Sequence, residues 1–163
     1  MKISFWGKIF LFNLLGLFLF FSDRFLKYLF YKNPSLSWDF YFIKFYFQKN
    51  FGFAFGLPQS IGIDFNQFFL IILVVLIFLI LIHFLVKAVE QKNLPVISGL
   101  ILIIVGAFSN LIDRIRFGFV VDYINLPFFT VFNLGDMMIV MGMIIILIKY
   151  FYQNKILNLK SKS

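Results

Sequence analysis

Residues 68–86, "FFLIILVVLIFLILIHFLV", contain no Asp, Glu, Lys or Arg. A stretch of that length and apolarity is long enough to cross a bilayer as a helix. Lipid offers no hydrogen-bond partners to a backbone. Spanning segments must satisfy their own N–H and C=O groups, so they form helices or a closed barrel. Three further apolar runs lie at residues 9–30, 94–112 and 133–152. The first carries a few charges in its second half. The chain as a whole is 62% hydrophobic and 13% charged, against roughly half and a quarter for a soluble domain. The expectation is a single integral membrane domain over residues 1–163, mainly α, with four transmembrane helices.

Lys2 and Lys8 before the first run resemble the start of a secretory signal. No small-x-small cleavage site follows, so that helix is read as retained. The net charge of +8 could suggest nucleic acid. The Lys and Arg residues flank apolar runs instead of forming one basic surface, which suits anionic headgroups and membrane topology. Nucleic acid is therefore not expected as a partner. Cysteine is absent, which removes disulfides, thiolate metal sites and a cysteine nucleophile together. The single histidine, His83, reads as an interfacial packing residue, and no metal site is expected. The 27 phenylalanines carry no functional inference.

The polar chemistry collects in two connections on one side of the bundle. Charge alone barely decides which side that is. The basic tail, residues 153–163, favours cytoplasmic termini and puts these connections outside. Its "KILNLKSKS" stretch, residues 155–163, reads as solvated and disordered. The first connection, residues 32–67, includes "WDFYFIKFYFQKN", whose aromatic and β-branched residues favour strands. A small extracytoplasmic sheet formed by this loop is expected, with "GLPQS" as a turn. In the second connection, residues 113–132, Val120 and Val121 suggest a short strand ending at Asp122. Pro127 excludes a helix there.

Several polar residues stand out, and each has a structural alternative. Asn133 and Asp136 have the spacing of a capping box, in which Asp136 serves the helix N-terminus. Asp122 lies in an apolar neighbourhood whose nearest basic residue in sequence is Arg116. A carboxylate there is costly without a partner. The short connection between Asp122 and Asp136 lets the two meet at the bundle mouth. Two carboxylates sharing a proton can activate water and protonate a leaving amine. Spacing alone leaves open whether they do so or remain ordinary surface acids. Gly106, Asn110 and Arg114 share one helix face. They could bind a substrate or simply pack helices. Asp23 and Lys27, at i and i+4, fit a local ion pair. In "NFGFAFG", Gly52, Ala54 and Gly56 alternate with phenylalanines, so an extended strand has one small face. Asn50 could bind a peptide or hold the loop. Besides an enzyme, the pattern is open to a small ion- or proton-conducting protein or a non-catalytic assembly subunit.

Taken in order, "SDRFLK", "NFGFAFG", "GAFSNLIDRIRFGFVVDYI" and "FNLGDMMI" around four apolar segments resemble the lipoprotein signal peptidases, also called signal peptidase II or prolipoprotein signal peptidase. The likeness covers nearly the whole chain. It implies an aspartic endopeptidase of the bacterial cytoplasmic membrane with no metal or cofactor. It would be multi-pass, with cytoplasmic termini and an outward-facing site. The substrate class would be diacylglyceryl-modified prolipoproteins, cleaved just before the lipidated cysteine, and globomycin would inhibit. Membrane lipids are the other expected partners, and the chain is expected to act as a monomer. The resemblance puts the catalytic pair on Asp122 and Asp136. It matches Asn50, Asn110, Arg114 and Asn133 to the polar lining of the site, and Asp23 and Lys27 to a polar pair. Gly52, Ala54 and Gly106 match its small positions, and Asp113 a supporting acid. Gly135 stands where the family usually has Ala, and Ser109 where it usually has Gly.

Overall fold

A computed structural model describes residues 3–52, 67–127 and 130–160. Its elements in chain order are α1 (Phe5–Lys32), β1 (Ser37–Phe40), β2 (Ile43–Asn50), α2 (Gln67–Glu90), α3 (Leu94–Phe117), β3 (Val120–Asn125), β4 (Val131–Phe132) and α4 (Leu134–Lys160). All four helices are long and apolar enough to cross a membrane. The expected class, a mainly helical membrane protein with a small antiparallel sheet, is what the chain forms.

Helix α1 starts at Ser4, whose hydroxyl accepts from the Gly7 N–H at 3.0 Å. Its buried residues are Gly16, Asp23, Lys27 and Phe30. Their spacing of seven, four and three residues marks one narrow stripe facing the other helices. Phe10, Phe18, Phe21 and Phe25 stay exposed, as side chains meant for lipid do. Helix α2 presents apolar side chains on nearly every side, and little of it is covered. The central element is α3, with half of its spanning window buried. Pro95 opens it, where a missing N–H costs nothing. Gly118 closes it in the left-handed conformation at φ 75°.

Helices α3 and α4 meet backbone to backbone. A Cβ placed on Gly99 would come within 2.7 Å of the Gly142 carbonyl oxygen, and one on Gly106 would run into the Gly135 carbonyl oxygen. Gly99 pairs with Gly142 and Gly106 with Gly135, seven residues apart on each helix and running antiparallel. In lipid, where apolar surface gives no drive to associate, such close approach lets dispersion hold helices together.

The sheet has four antiparallel strands in the order β1-β2-β3-β4. Strands β1 and β2 come from residues 32–67 as expected, and β3 and β4 add the second connection. Gln48 lies opposite Asp122, and Asn50 opposite Val120. Aromatic rings seat the sheet on the helix ends. Phe30 of α1 stacks on Tyr123 of β3 at 5.6 Å, and Tyr31 of α1 meets Phe47 of β2 edge-on at 6.1 Å.

Several boundaries differ from the sequence reading; helices α1 and α2 run a few residues longer, to Lys32 and Glu90, and three other differences touch the site or the tail. Helix α3 runs on to Phe117, so the connection begins after Phe117 and not at Asp113, in keeping with the helix face expected for Gly106, Asn110 and Arg114. Strand β3 continues past Asp122 to Asn125. Helix α4 extends to Lys160, so residues 155–160, the first part of the stretch expected to be disordered, are helical. The "GLPQS" turn falls outside the described residues.

The glycine contacts predict an asymmetry. Gly106→Ala forces α3 and α4 apart and lowers the thermal unfolding midpoint in detergent, at a cost of about 1–3 kcal/mol. Gly16→Ala, whose new methyl meets Ile101 at an ordinary 3.5 Å, leaves the midpoint nearly unchanged.

Candidate active site

Where α1 and α3 end and α4 begins, the bundle buries Asp23, Lys27, Asn50, Asn110, Asp113, Arg114, Asp122, Asn133 and Asp136. Buried charge at this level is costly unless paired and hydrogen-bonded. The pairing starts with α1. Lys27 Nζ lies 3.2 Å from Asp23 and 3.0 Å from Asp113, and it donates to Asn110 Oδ1 at 2.6 Å. Arg24 bonds Asp113 at 2.6 Å and also reaches the Ser109 carbonyl at 3.1 Å. Two acids and two cations thus neutralise each other. The Asp23–Lys27 ion pair expected from spacing is present, as one edge of this larger cluster.

Asp23 also serves the neighbouring elements. It accepts from Ser109 Oγ at 2.5 Å, from the Tyr123 hydroxyl at 2.8 Å and from the Gly135 N–H at 3.2 Å. The Tyr123 hydroxyl in turn accepts from the Leu134 N–H at 3.1 Å. The first free N–H groups of α4 therefore meet a carboxylate and a phenol, which complements the positive end of the helix dipole. Asp113 Oδ2 accepts from the Val121 N–H at 3.1 Å and so pins β3 to α3.

Asp122 and Asp136 are held from this frame. Asn110, its carbonyl committed to Lys27, donates its amide to Asp136 Oδ1 at 2.9 Å. Asn133 Oδ1 accepts from the Asp136 N–H at 3.0 Å, and Asp136 Oδ2 reaches back to the Asn133 N–H at 3.4 Å. The expected capping box is therefore formed. The same Asn133 donates its Nδ2 to Asp122 Oδ1 at 2.6 Å. One side chain touches both aspartates, so capping and a shared site are not alternatives. Asn50 donates to the other oxygen of Asp122 at 2.9 Å, while its own carbonyl accepts from the Gly52 N–H at 2.9 Å.

The Asp122 carboxyl is pushed up to about 7. Burial is the main cause and the negative charge of Asp136 adds to it. The amides of Asn50 and Asn133 and the charge of Lys27 oppose it. Burial and the neighbouring Asp23 carboxylate likewise raise the Tyr123 phenol, keeping it neutral and able to donate.

Arg114 is buried beside this pair and donates through Nη2 to the Gly52 carbonyl. Its Nε is buried without a hydrogen-bond partner among the described residues. Gly106 supplies the close contact to Gly135 described above. Of the candidate site residues read from sequence, Ala54 lies outside the described residues, as does Gly56; the remaining site candidates join or pack against one network. Arg24, Ser109 and Tyr123 belong to it as well. Ser109 is four residues before Asp113, a helical spacing that could have marked it. Nothing in the sequence separates Arg24 or Tyr123 from other interfacial side chains. His83 is exposed and rests against Phe84, away from the network.

The family model described as "Signal peptidase (SPase) II" matches residues 15–152. A lipoprotein signal peptidase of Bartonella tribocorum is 38% identical over 151 residues, 87% of either chain. One from Caldanaerobacter subterraneus is 38% identical over 134 residues, 79% of this chain and 88% of that one. A solved structure described as a bacterial membrane enzyme superposes with a TM-score of 0.77 at 26% identity, covering 88% of both chains.

The raised Asp122 carboxyl fixes the sign of a pH effect. It keeps its proton in the folded state at pH values where an unfolded aspartate has lost it. Its stabilising contribution is present at low pH and is lost as pH rises through about 7. The unfolding midpoint in detergent therefore falls between pH ~5 and ~8, and Asp122→Asn flattens that part of the profile.

Proposed function

The chain belongs to the signal peptidase II family and is a peptide hydrolase; we propose that it removes signal peptides from prolipoproteins that carry diacylglycerol on a cysteine, cutting just before that cysteine. Asp122 and Asp136 are the catalytic pair in this reading. The observation that carries it is Asn133, whose side chain donates to the Asp122 carboxylate and accepts from the Asp136 backbone N–H, while Asp122 has no ion-pair partner among the described residues.

The chemistry follows from the two environments. One proton is shared by the pair, because burial and mutual repulsion disfavour two charges together. The ionised carboxylate takes a proton from a water molecule, and the resulting hydroxide adds to the scissile carbonyl carbon. The protonated carboxyl gives its proton to the departing amide nitrogen as the C–N bond breaks. Asn110 and Asn133 orient the acids, and the Lys27 charge offsets part of their repulsion. Asn50, Gly52 and Arg114 form a polar edge where a peptide backbone can bind. The buried Arg114 Nε, with no acceptor among the described residues, is a donor suited to a substrate carbonyl.

The Lys and Arg distribution supports cytoplasmic termini and a site on the outer face of the bacterial membrane. Water is available at that level, and acyl chains can enter sideways from the bilayer. The conducting-protein alternative needs ionisable groups spread across the bilayer. The buried acids instead gather at the sheet end, and α2 has no buried charge.

Asp122→Asn and Asp136→Asn are expected to insert and fold, yet to lose at least about a thousandfold in cleavage. The measurement is the mobility shift of a purified diacylglyceryl-modified prolipoprotein, with globomycin as the inhibitor control. Near-normal processing by either variant overturns the assignment. Turnover by the unmodified enzyme should also fall as pH rises past about 7, when the pair loses its one proton.

A further inference from the structure

A cavity of about 330 Å³ opens between the last turns of α1 and the end of α3. Arg24, Lys32 and Arg116 line it together with Tyr28, Tyr31 and Phe117, and no acid does. Asp122 and Asp136 are not among its walls. We propose that this cavity binds the phosphate of an anionic phospholipid headgroup.

The charge distribution supports a phosphate. Arg24 and Lys27, at the back of the cavity, are neutralised by Asp113 and Asp23. Lys32 and Arg116 are exposed and have no ion-pair partner among the described residues. Their two charges are therefore surplus. Arg116 lies over the Phe117 ring at 5.6 Å, which restrains its guanidinium near the opening. An arginine fork and a lysine across a small concavity suit a phosphate monoanion.

The surroundings favour a lipid over a soluble phosphate ester. The cavity lies at the end of two spanning helices, the level at which headgroups sit. Phe18, Phe21, Phe25 and Tyr28 are each more than 60% exposed. Their spacing of three, four and three residues forms one stripe along α1, leading to the cavity at Tyr28. That stripe offers a track for acyl chains directly below the cationic pocket.

The test is native mass spectrometry of the full chain in a neutral detergent. The probes are dioleoylphosphatidylglycerol, dioleoylphosphatidylcholine and dioleoylglycerol. The phosphatidylglycerol adduct is expected to dominate, and K32Q/R116Q should weaken it by about tenfold. A K87Q/K155Q variant removes the same charge from exposed lysines elsewhere and should retain the adduct. Competition with glycerol phosphate separates the sources: no displacement assigns the site to a membrane lipid, and full displacement assigns it to soluble phosphate esters and overturns the lipid reading. Equal retention of all three lipids, an unchanged adduct in K32Q/R116Q, or equal loss in K87Q/K155Q also overturns it. Prolipoprotein cleavage is read separately, so failure here leaves the catalytic assignment standing.

Discussion

Three buried charges, Asp23, Lys27 and Asp113, with the half-buried Arg24, are the interaction on which the rest of the structure depends. They come from two helices, and each acid has at least one cation within 3.2 Å. An ion pair taken out of water adds little net stability, because desolvation offsets its attraction. Removing one partner is another matter, and costs about 3–5 kcal/mol. The cluster therefore acts less as glue than as a condition on geometry. The observed arrangement of α1 and α3 leaves each of these charges compensated. From that arrangement hydrogen bonds run outward: through Asn110 to Asp136, through Tyr123 and Gly135 to the start of α4, and through Val121 to β3.

The apolar contacts complement this frame. Paired glycines let α3 and α4 touch along their backbones, which fixes the axial position of Asp136 relative to Asn110. At the sheet end, rings of Phe30 and Tyr31 from α1 pack on Tyr123 and Phe47 and seat the strands that carry Asn50 and Asp122. Neither set of contacts would aim a carboxylate by itself. Together they leave the aspartate-bearing strand and helix no freedom to drift apart, since Asn133 is bonded to both.

Much of this was legible in the sequence because lipid imposes a blunt rule. Apolar runs long enough to span become helices, and four of them were plain. The capping spacing of Asn133 and Asp136 also held, as did the strand character of the aromatic loop. The end of α3 was harder. Asp113, Arg114 and Arg116 look like the start of a polar connection, yet Asp113 and Arg114 are buried against partners that are distant in the chain. No local pattern announces such partners. Gly118 was the true stop, and its left-handed conformation is the physical marker. The hydroxyls of Ser109 and Tyr123 escaped for the same reason. A serine on a helix and a tyrosine on a strand acquire meaning only when Asp23, far off in sequence, arrives beside them. The sheet, too, was seen only in part, since pairing of β2 with β3 joins two connections that the sequence presents separately.

That pairing bears on how the protein is made. Asn50 emerges from the ribosome early, Asp122 later, and Asn133 with Asp136 only as the last span begins. Until α4 has entered the bilayer, Asp122 lacks Asn133, and Asp23 lacks the helix terminus it caps. On the proposed assignment, a nascent chain is thus catalytically silent through most of its biogenesis, and hydrolytic competence arises in a single late step.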